Sequence, residues 1–283
     1  DLLKPFLEGK DLRRWRAEPR GLWIIYIPKN RINIDDYPAI RDWLLPFKAK
    51  LEKRATKQEW FELQQAQEAY SVPFSKPKIS YPHFSQGRKF LRDETGFFSN
   101  DKTYFSANGD WDYLAYLNST VVWFYLRSVC SAMRGGEWRL ELRVQYMETI
   151  PIALSDDSQK AQLSKLGKAT QDAAEKRFSL QQALIRRIPD LAPAGRLVKL
   201  STKLLEWWTL PDFAAFRSEV KKSLKADIPL AERTAWEAWI ARDKAEIARL
   251  SAQIAANERQ INEIVYRLFD LTPDEIQLLE ASI

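Results

Sequence analysis

Cysteine and histidine each occur once in 283 residues, as Cys130 and His83. A lone cysteine forms no internal disulfide, which fits a reducing cytoplasm. The two residues together cannot complete a four-ligand Cys/His zinc site. Nine glycines include neither standard type of phosphate-cradling loop. The Asn-Pro-Pro-aromatic tetrapeptide that grips a flipped base is missing, and no nucleophile elbow surrounds His83, on which a Ser-His-Asp arrangement would have to rely. Apolar runs are short. Val121 to Leu126 falls far below the length that spans a bilayer, so no membrane partner is expected. The chain opens on Asp1 without a methionine or a signal-peptide pattern, and it is expected to be a fragment of a longer protein. No catalytic residue, metal site or cofactor site is assigned within it.

What is present suits a folded domain or two. Hydrophobic residues make up 45% and aromatics 12%, with 11 tryptophans, enough apolar surface to offset the entropy of ordering. The net charge of +6 is unevenly spread. Residues 1–154 carry 24 Lys/Arg against 19 Asp/Glu, and residues 155–283 carry 20 against 19. A polyanion would be drawn to the first half.

That half has the texture of mixed α/β structure. Leu22 to Ile27, ended by Pro28, predicts a buried strand, and Tyr37 to Ala69 has helical spacing with Pro46 at a start or break. Lys78 to Tyr81 predicts a strand, and Phe90–Asp93 with Phe97-Phe98 predicts a hairpin turned at Glu94-Thr95-Gly96. Tyr113 to Arg127 is helical, Gly135-Gly136 marks a loop, and Arg139 to Tyr146 predicts a further strand.

The second half is mainly helical. Leu163, Leu166, Ala173, Leu180, Leu184 and Ile188 mark an amphipathic helix ended by Pro189. From Trp236 to Leu268 apolar residues recur at heptad spacing, interrupted by Asp243 and Asn257 on the seam. An insert carrying Trp207, Trp208, Phe213, Phe216 and Val220 separates the two, predicting an antiparallel hairpin with the tryptophans in its core. Pro273 sits like the first residue of a last helix capped by Thr272. The expected class is α+β: a mixed α/β domain over 1–154, then a long-helix, coiled-coil-like hairpin over 155–283. Within the insert, Pro211-Asp212 followed by Glu219-Val220-Lys221 imitates a nuclease signature. The helical spacing of Phe213, Phe216 and Val220 predicts a capped helix start instead.

Three stretches resemble one family. Leu3 to Trp15 resembles the lead into the recognition region of type IIG restriction–modification enzymes. Lys76 to Pro82, Asp93 to Gly96, Phe98 to Lys102, Tyr113-Leu114 to Leu117-Asn118-Ser119, Arg134-Gly135-Gly136 and Ile150-Pro151-Ile152 follow in order. Together they resemble a TaqI-like C-terminal specificity domain, and Val265 to Ile276 resembles that group's terminal helix. The resemblance implies a prokaryotic, cytoplasmic enzyme that methylates adenine N6 with S-adenosylmethionine, often fused to a nuclease. Related anti-phage methyltransferases fit equally. The methyl donor and an N-terminal methyltransferase domain would belong to the part before Asp1. The insert from Pro189 to Leu230 departs from a minimal specificity domain.

Reading duplex DNA needs cations for phosphates and planar donors or acceptors for base edges. Arg134 with Gly135 and Gly136, followed by Trp138 and Arg139, is the leading candidate, since two glycines permit close approach to a groove; the alternative is a plain turn. Lys78, His83, Arg88 and Lys89 flank a strand and its loop, with Arg88-Lys89 expected on phosphate. Asn100, Lys102 and Asn108 occupy a loop where asparagine either pairs with adenine or serves a turn. Arg13 and Arg14, beside Trp15, either bind phosphate or bridge to another domain. The rivals are a coiled-coil interaction scaffold without DNA binding and a nuclease built on the Asp212 signature. With no base-gripping motif, the chain alone should transfer no methyl group from S-adenosylmethionine to DNA. N6-methyladenine formed by the pure chain would contradict this.

Overall fold

The computed structural model describes residues 2–64, 66, 68–133, 138–193, 195 and 198–282. In chain order its strands are β1 Leu3–Leu7, β2 Leu12–Arg13, β3 Arg16–Ala17, β4 Leu22–Ile25, β5 Lys78–Pro82, β6 Phe84–Ser85, β7 Leu91–Asp93, β8 Phe98–Ser99, β9 Thr103–Ser106, β10 Ala132–Met133 and β11 Arg139–Glu141. Its helices are α1 Pro38–Leu44, α2 Lys48–Leu51, α3 Ser71–Ser75, α4 Trp111–Leu117, α5 Thr120–Val129, α6 Val144–Met147, α7 Asp157–Arg187, α8 Thr202–Leu205, α9 Phe213–Leu224, α10 Arg233–Leu268 and α11 Pro273–Ala281. The architecture is a mixed α/β region followed by long joined helices. No helix among the described residues is long and apolar enough to cross a membrane.

The strands form small sheets in the orders β4-β1-β8, β7-β5-β9, β10-β11-β6 and β2-β3. β5 is buried along its whole length, with β7 and β9 antiparallel on its two sides. Its pleat turns Ile79 and Tyr81 into the core with Phe90 and Leu114. Five expectations give way locally. The strand expected to be buried at Leu22–Ile27 is β4, an edge strand with Trp23 63% exposed. Leu91–Asp93 and Phe98–Ser99 are not a hairpin, because β7 pairs with β5 while β8 runs parallel to β1. The Asp93 carboxylate accepts from the N–H groups of Thr95 (2.8 Å), Gly96 (3.2 Å) and Phe97 (2.9 Å), a turn that sends the chain to another sheet.

The helix expected over 113–127 breaks at Asn118-Ser119. Ser119 caps α5 through Val122 N, and buried Asn118 Nδ2 donates to the Phe90 carbonyl (3.0 Å) instead of continuing a helical surface. Among the described residues between 37 and 69 only α1, α2 and short 3-10 turns form. There the Arg54 guanidinium donates to the carbonyls of Leu51, Glu59, Trp60 and Glu62, so a side chain satisfies backbone groups that a helix would otherwise pair. The strand at 139 ends at Glu141, and α6 begins at Val144.

The helical half forms as the spacing predicts. α7 starts on an Asp156–Gln159 capping box and stops before Pro189. α10, with 36 residues and so about 54 Å long, lies antiparallel to it, joined by Lys176–Glu246 (2.7 Å) and Arg177–Ser251 (3.1 Å). Thr272 caps α11 with Glu275. The insert closes one end of the hairpin. Buried Trp207 donates to the Gln181 carbonyl (3.0 Å), and Phe216, Val220 and Leu224 pack with Leu184, Ile188, Ile240 and Ile247. At the other end, Leu163, Ala174, Leu250, Ile254 and Ile264 share one core with Trp15, Ile79, Leu114 and Trp123.

Polar contacts lock that shared core. The Gln171 amide accepts from Arg92 N (2.8 Å) and donates to Arg92 O (2.7 Å), pairing with β7 as another strand would. Asn262 Oδ1 on α10 accepts from Thr120 N (2.9 Å) at the start of α5. α7 crosses α4 at Gly167, where a Cβ would lie 2.5 Å from the Trp111 carbonyl oxygen. Gly167→Ala should therefore cost up to about 2 kcal/mol net, because overpacking of about 1–3 kcal/mol is offset by a helix-propensity gain of about 1 kcal/mol. Urea denaturation measures this; a raised midpoint would contradict the close crossing.

Candidate nucleic-acid interface

The 3-10 turn Gly9–Asp11 packs so closely on the loop before β9 that a Cβ on Gly9 would lie 2.6 Å from the Lys102 carbonyl oxygen. That approach opens a cleft of about 410 Å³ whose lining includes Lys10, Gln86, Lys89, Asn100, Lys102 and Arg139. Four residues singled out in the sequence, Lys89, Asn100, Lys102 and Arg139, are brought together here from separate stretches. Lys10 and Gln86 were missed. The signal for Lys10 was Gly9 beside it, a position where backbone had to come close to backbone.

The cleft is rich in cations, and they crowd one another. Burial, then the guanidiniums of Arg13 and Arg139, push the Lys89 ammonium below its ordinary pKa, against the pull of Glu18. Lys102 is exposed and paired with Asp101 (2.8 Å), and Lys10 with Glu8 (2.9 Å). Such surface pairs exchange readily for phosphate because they are worth little in water. Asn100 Oδ1 accepts from Lys102 N (3.0 Å), and Asn108 Oδ1 accepts from Asp110 N (3.0 Å), so both asparagines build turns.

Other expected contacts lie elsewhere. Lys78 leaves the candidate surface: it is 2% exposed, with Nζ 2.5 Å from Asp93 Oδ2 and donating to the Phe74 carbonyl (2.8 Å). Burial lowers its pKa, and Asp93 pulls the other way. A charge this deep persists only when paired. Arg88 also turns inward, donating to Thr120 Oγ1 (2.9 Å) and the Asn118 carbonyl (3.4 Å). His83 Nε2 lies 3.0 Å from Glu141 Oε1, and its ring stacks on Phe84 at 4.1 Å, so it ties β6 to β11. Trp138, 43% exposed, lies under the Arg127 guanidinium (5.2 Å) beside the cleft rather than in it. Arg134, Gly135 and Gly136 lie outside the described residues; the strands on either side of them, β10 and β11, pair antiparallel.

The Arg13-Arg14-Trp15 segment divides in two. Arg13 stays near the cleft, paired with Glu18 (2.7 Å). Arg14 and Trp15 face α10, where Glu258 Oε1 accepts from Arg14 (2.8 Å) and from Trp15 Nε1 (2.6 Å). Arg14 thus pairs with the helical half of this same chain. The nuclease-like signature is a helix start: Asp212 caps α9 through Ala215 N (2.8 Å), and Glu219 accepts from Ser201 Oγ (2.7 Å). Among the described residues no group of three His, Cys, Asp or Glu could hold a metal ion.

A family model described as the TaqI-like C-terminal specificity domain matches residues 4–152, more than half of the chain. A second, described as a domain of unknown function (DUF8810), matches residues 156–265. No curated protein matches the chain. The geometry makes the Lys78–Asp93 pair structural. Lys78→Met should lower stability by about 3–5 kcal/mol, the usual cost of stranding one buried partner. Duplex affinity per folded molecule, from active-fraction titration, should not change; a selective loss of affinity at full stability would return Lys78 to the interface.

Proposed function

We propose a function for this chain from one premise: it belongs to the family of TaqI-like C-terminal specificity domains. It reads duplex DNA for a restriction–modification enzyme that methylates adenine at N6, and the methyl donor binds to another part of that enzyme. The observation that carries this reading is the convergence of Lys89, Asn100, Lys102 and Arg139 on one cleft. Cations there neutralise phosphates, while Arg139 contacts base edges; Arg134 with Gly135-Gly136 is the further base-contact candidate that the sequence offers. A neighbouring methyltransferase domain of the same parent would extrude the adenine, and this module would fix which adenine is presented.

The scaffold reading is disfavoured by where the α10 seam lies. Ile240, Ile247, Leu250, Ile254, Ile261 and Ile264 are buried against the insert, α7 and the α/β region, leaving that stripe no free length for a partner helix. The nuclease reading lacks paired carboxylates, since Asp212 caps a helix and Glu219 bonds to Ser201.

Duplex affinity should fall steeply between about 50 and 200 mM salt, as counterion release requires. Lys89→Ala should weaken binding alike for all sequences and flatten the salt slope by about one. Arg134→Ala should instead relax preference at one base pair, worth about 1–3 kcal/mol, in a library of single-base variants. Affinity that stays flat across the salt range, or an Arg134→Ala profile identical to wild type, would contradict the respective assignment.

A further inference from the structure

Four arginines from three stretches meet where the β2–β3 hairpin touches the long helices. Arg14 donates to Glu258 (2.8 Å) and to the Asn118 carbonyl (2.9 Å), and Arg88 reaches the same carbonyl (3.4 Å). Arg16 pairs with Glu18 and lies 5.0 Å over the Phe178 ring on α7. Arg177, next to Phe178, donates to Ser251 Oγ on α10 (3.1 Å). Two carboxylates answer four guanidiniums, and Glu18 is already shared with Arg13.

The surplus is felt. Burial, then Arg88, pulls the Arg14 guanidinium down to about 10, and burial, then Arg16, lowers Arg177. The Nε atoms of Arg14 and Arg16 and Nδ2 of Asn257, the neighbour of Glu258, are buried without a hydrogen-bond partner. Partly desolvated cations that outnumber their carboxylates have the chemistry of an anion site. All four arginines keep some exposure, so the face is reachable from solvent.

We propose that Arg16 and Arg177, with the inward-facing Arg14 and Arg88 adding positive charge behind them, form a second phosphate site, which takes a backbone phosphodiester of the duplex whose bases lie over the cleft. This rests on the reading of the chain as a duplex-DNA-binding module. Glu18 pairs with both Arg13, which stands near the cleft, and Arg16, so one carboxylate links the two sites. Arg177 and Glu258 come from the two long helices, which gives the region matched to a family of unknown function a share of the backbone grip.

Arginine-specific modification of the wild-type chain with phenylglyoxal, read by mass spectrometry, tests this with no variant needed. A short duplex should slow modification of Arg16, Arg177 and Arg139 several-fold, and inorganic phosphate at equal ionic strength should not reproduce the effect at low millimolar concentration. Protection of Arg139 alone would overturn the second site and leave the DNA reading standing. Protection of none would overturn both. Protection of Arg16 and Arg177 by inorganic phosphate but not by duplex would make this a free-anion site and overturn the backbone assignment. In parallel, the Arg16→Gln/Arg177→Gln double variant, checked for folding by its melting curve, should flatten the salt slope of duplex binding by about one to two; a well-folded double variant with an unchanged slope would overturn the proposal.

Discussion

The Glu258 carboxylate is the contact on which the arrangement of the first half depends. One of its oxygens accepts from both Trp15 Nε1 and the Arg14 guanidinium, across 243 residues of sequence in the case of Trp15. Trp15 is 1% exposed and holds a left-handed backbone, φ 66°, a conformation that costs a bulky residue about 1–3 kcal/mol. It stays there because its indole is held by Glu258 and its N–H by the Phe90 carbonyl (3.1 Å). Phe90 follows Lys89, and Trp15 follows Arg13 and Arg14. A helix in the second half thereby sets where the cations of the first half stand.

The same logic repeats at other contacts between the halves. Gln171 pairs with the edge of β7, Asn262 caps α5, and Gly167 lets α7 lie against α4. The two family matches divide the chain near residue 154, whereas the apolar core runs across that point. A surface made of short strands and loops has little rigidity of its own. Bracing by two helices of 31 and 36 residues supplies it.

Features governed by local periodicity were legible in the sequence. α7, α10 and α11 follow from apolar spacing and caps, and β5 from the Lys78–Tyr81 stretch between Pro77 and Pro82. Features governed by distant partners were not. The turn at Asp93 looks like a hairpin until β1 claims β8, and Lys78 looks like a surface cation until Asp93 claims it. Arg88 and Lys89 are adjacent in sequence yet face opposite ways, because Thr120 and Asn118 draw Arg88 inward. The cleft joins Lys10, Lys89, Lys102 and Arg139, and no spacing rule links residues so far apart. Gly9 alone hinted at the approach that makes it.

The central claim is that this surface reads sequence rather than merely holding phosphate. Selection from a library of randomised duplexes, using the full chain at near-physiological salt and sequencing the bound fraction, tests it most directly. The account predicts enrichment of a consensus with several defined base pairs, each wrong base costing about 1–3 kcal/mol. A bound pool with the composition of the input would contradict it.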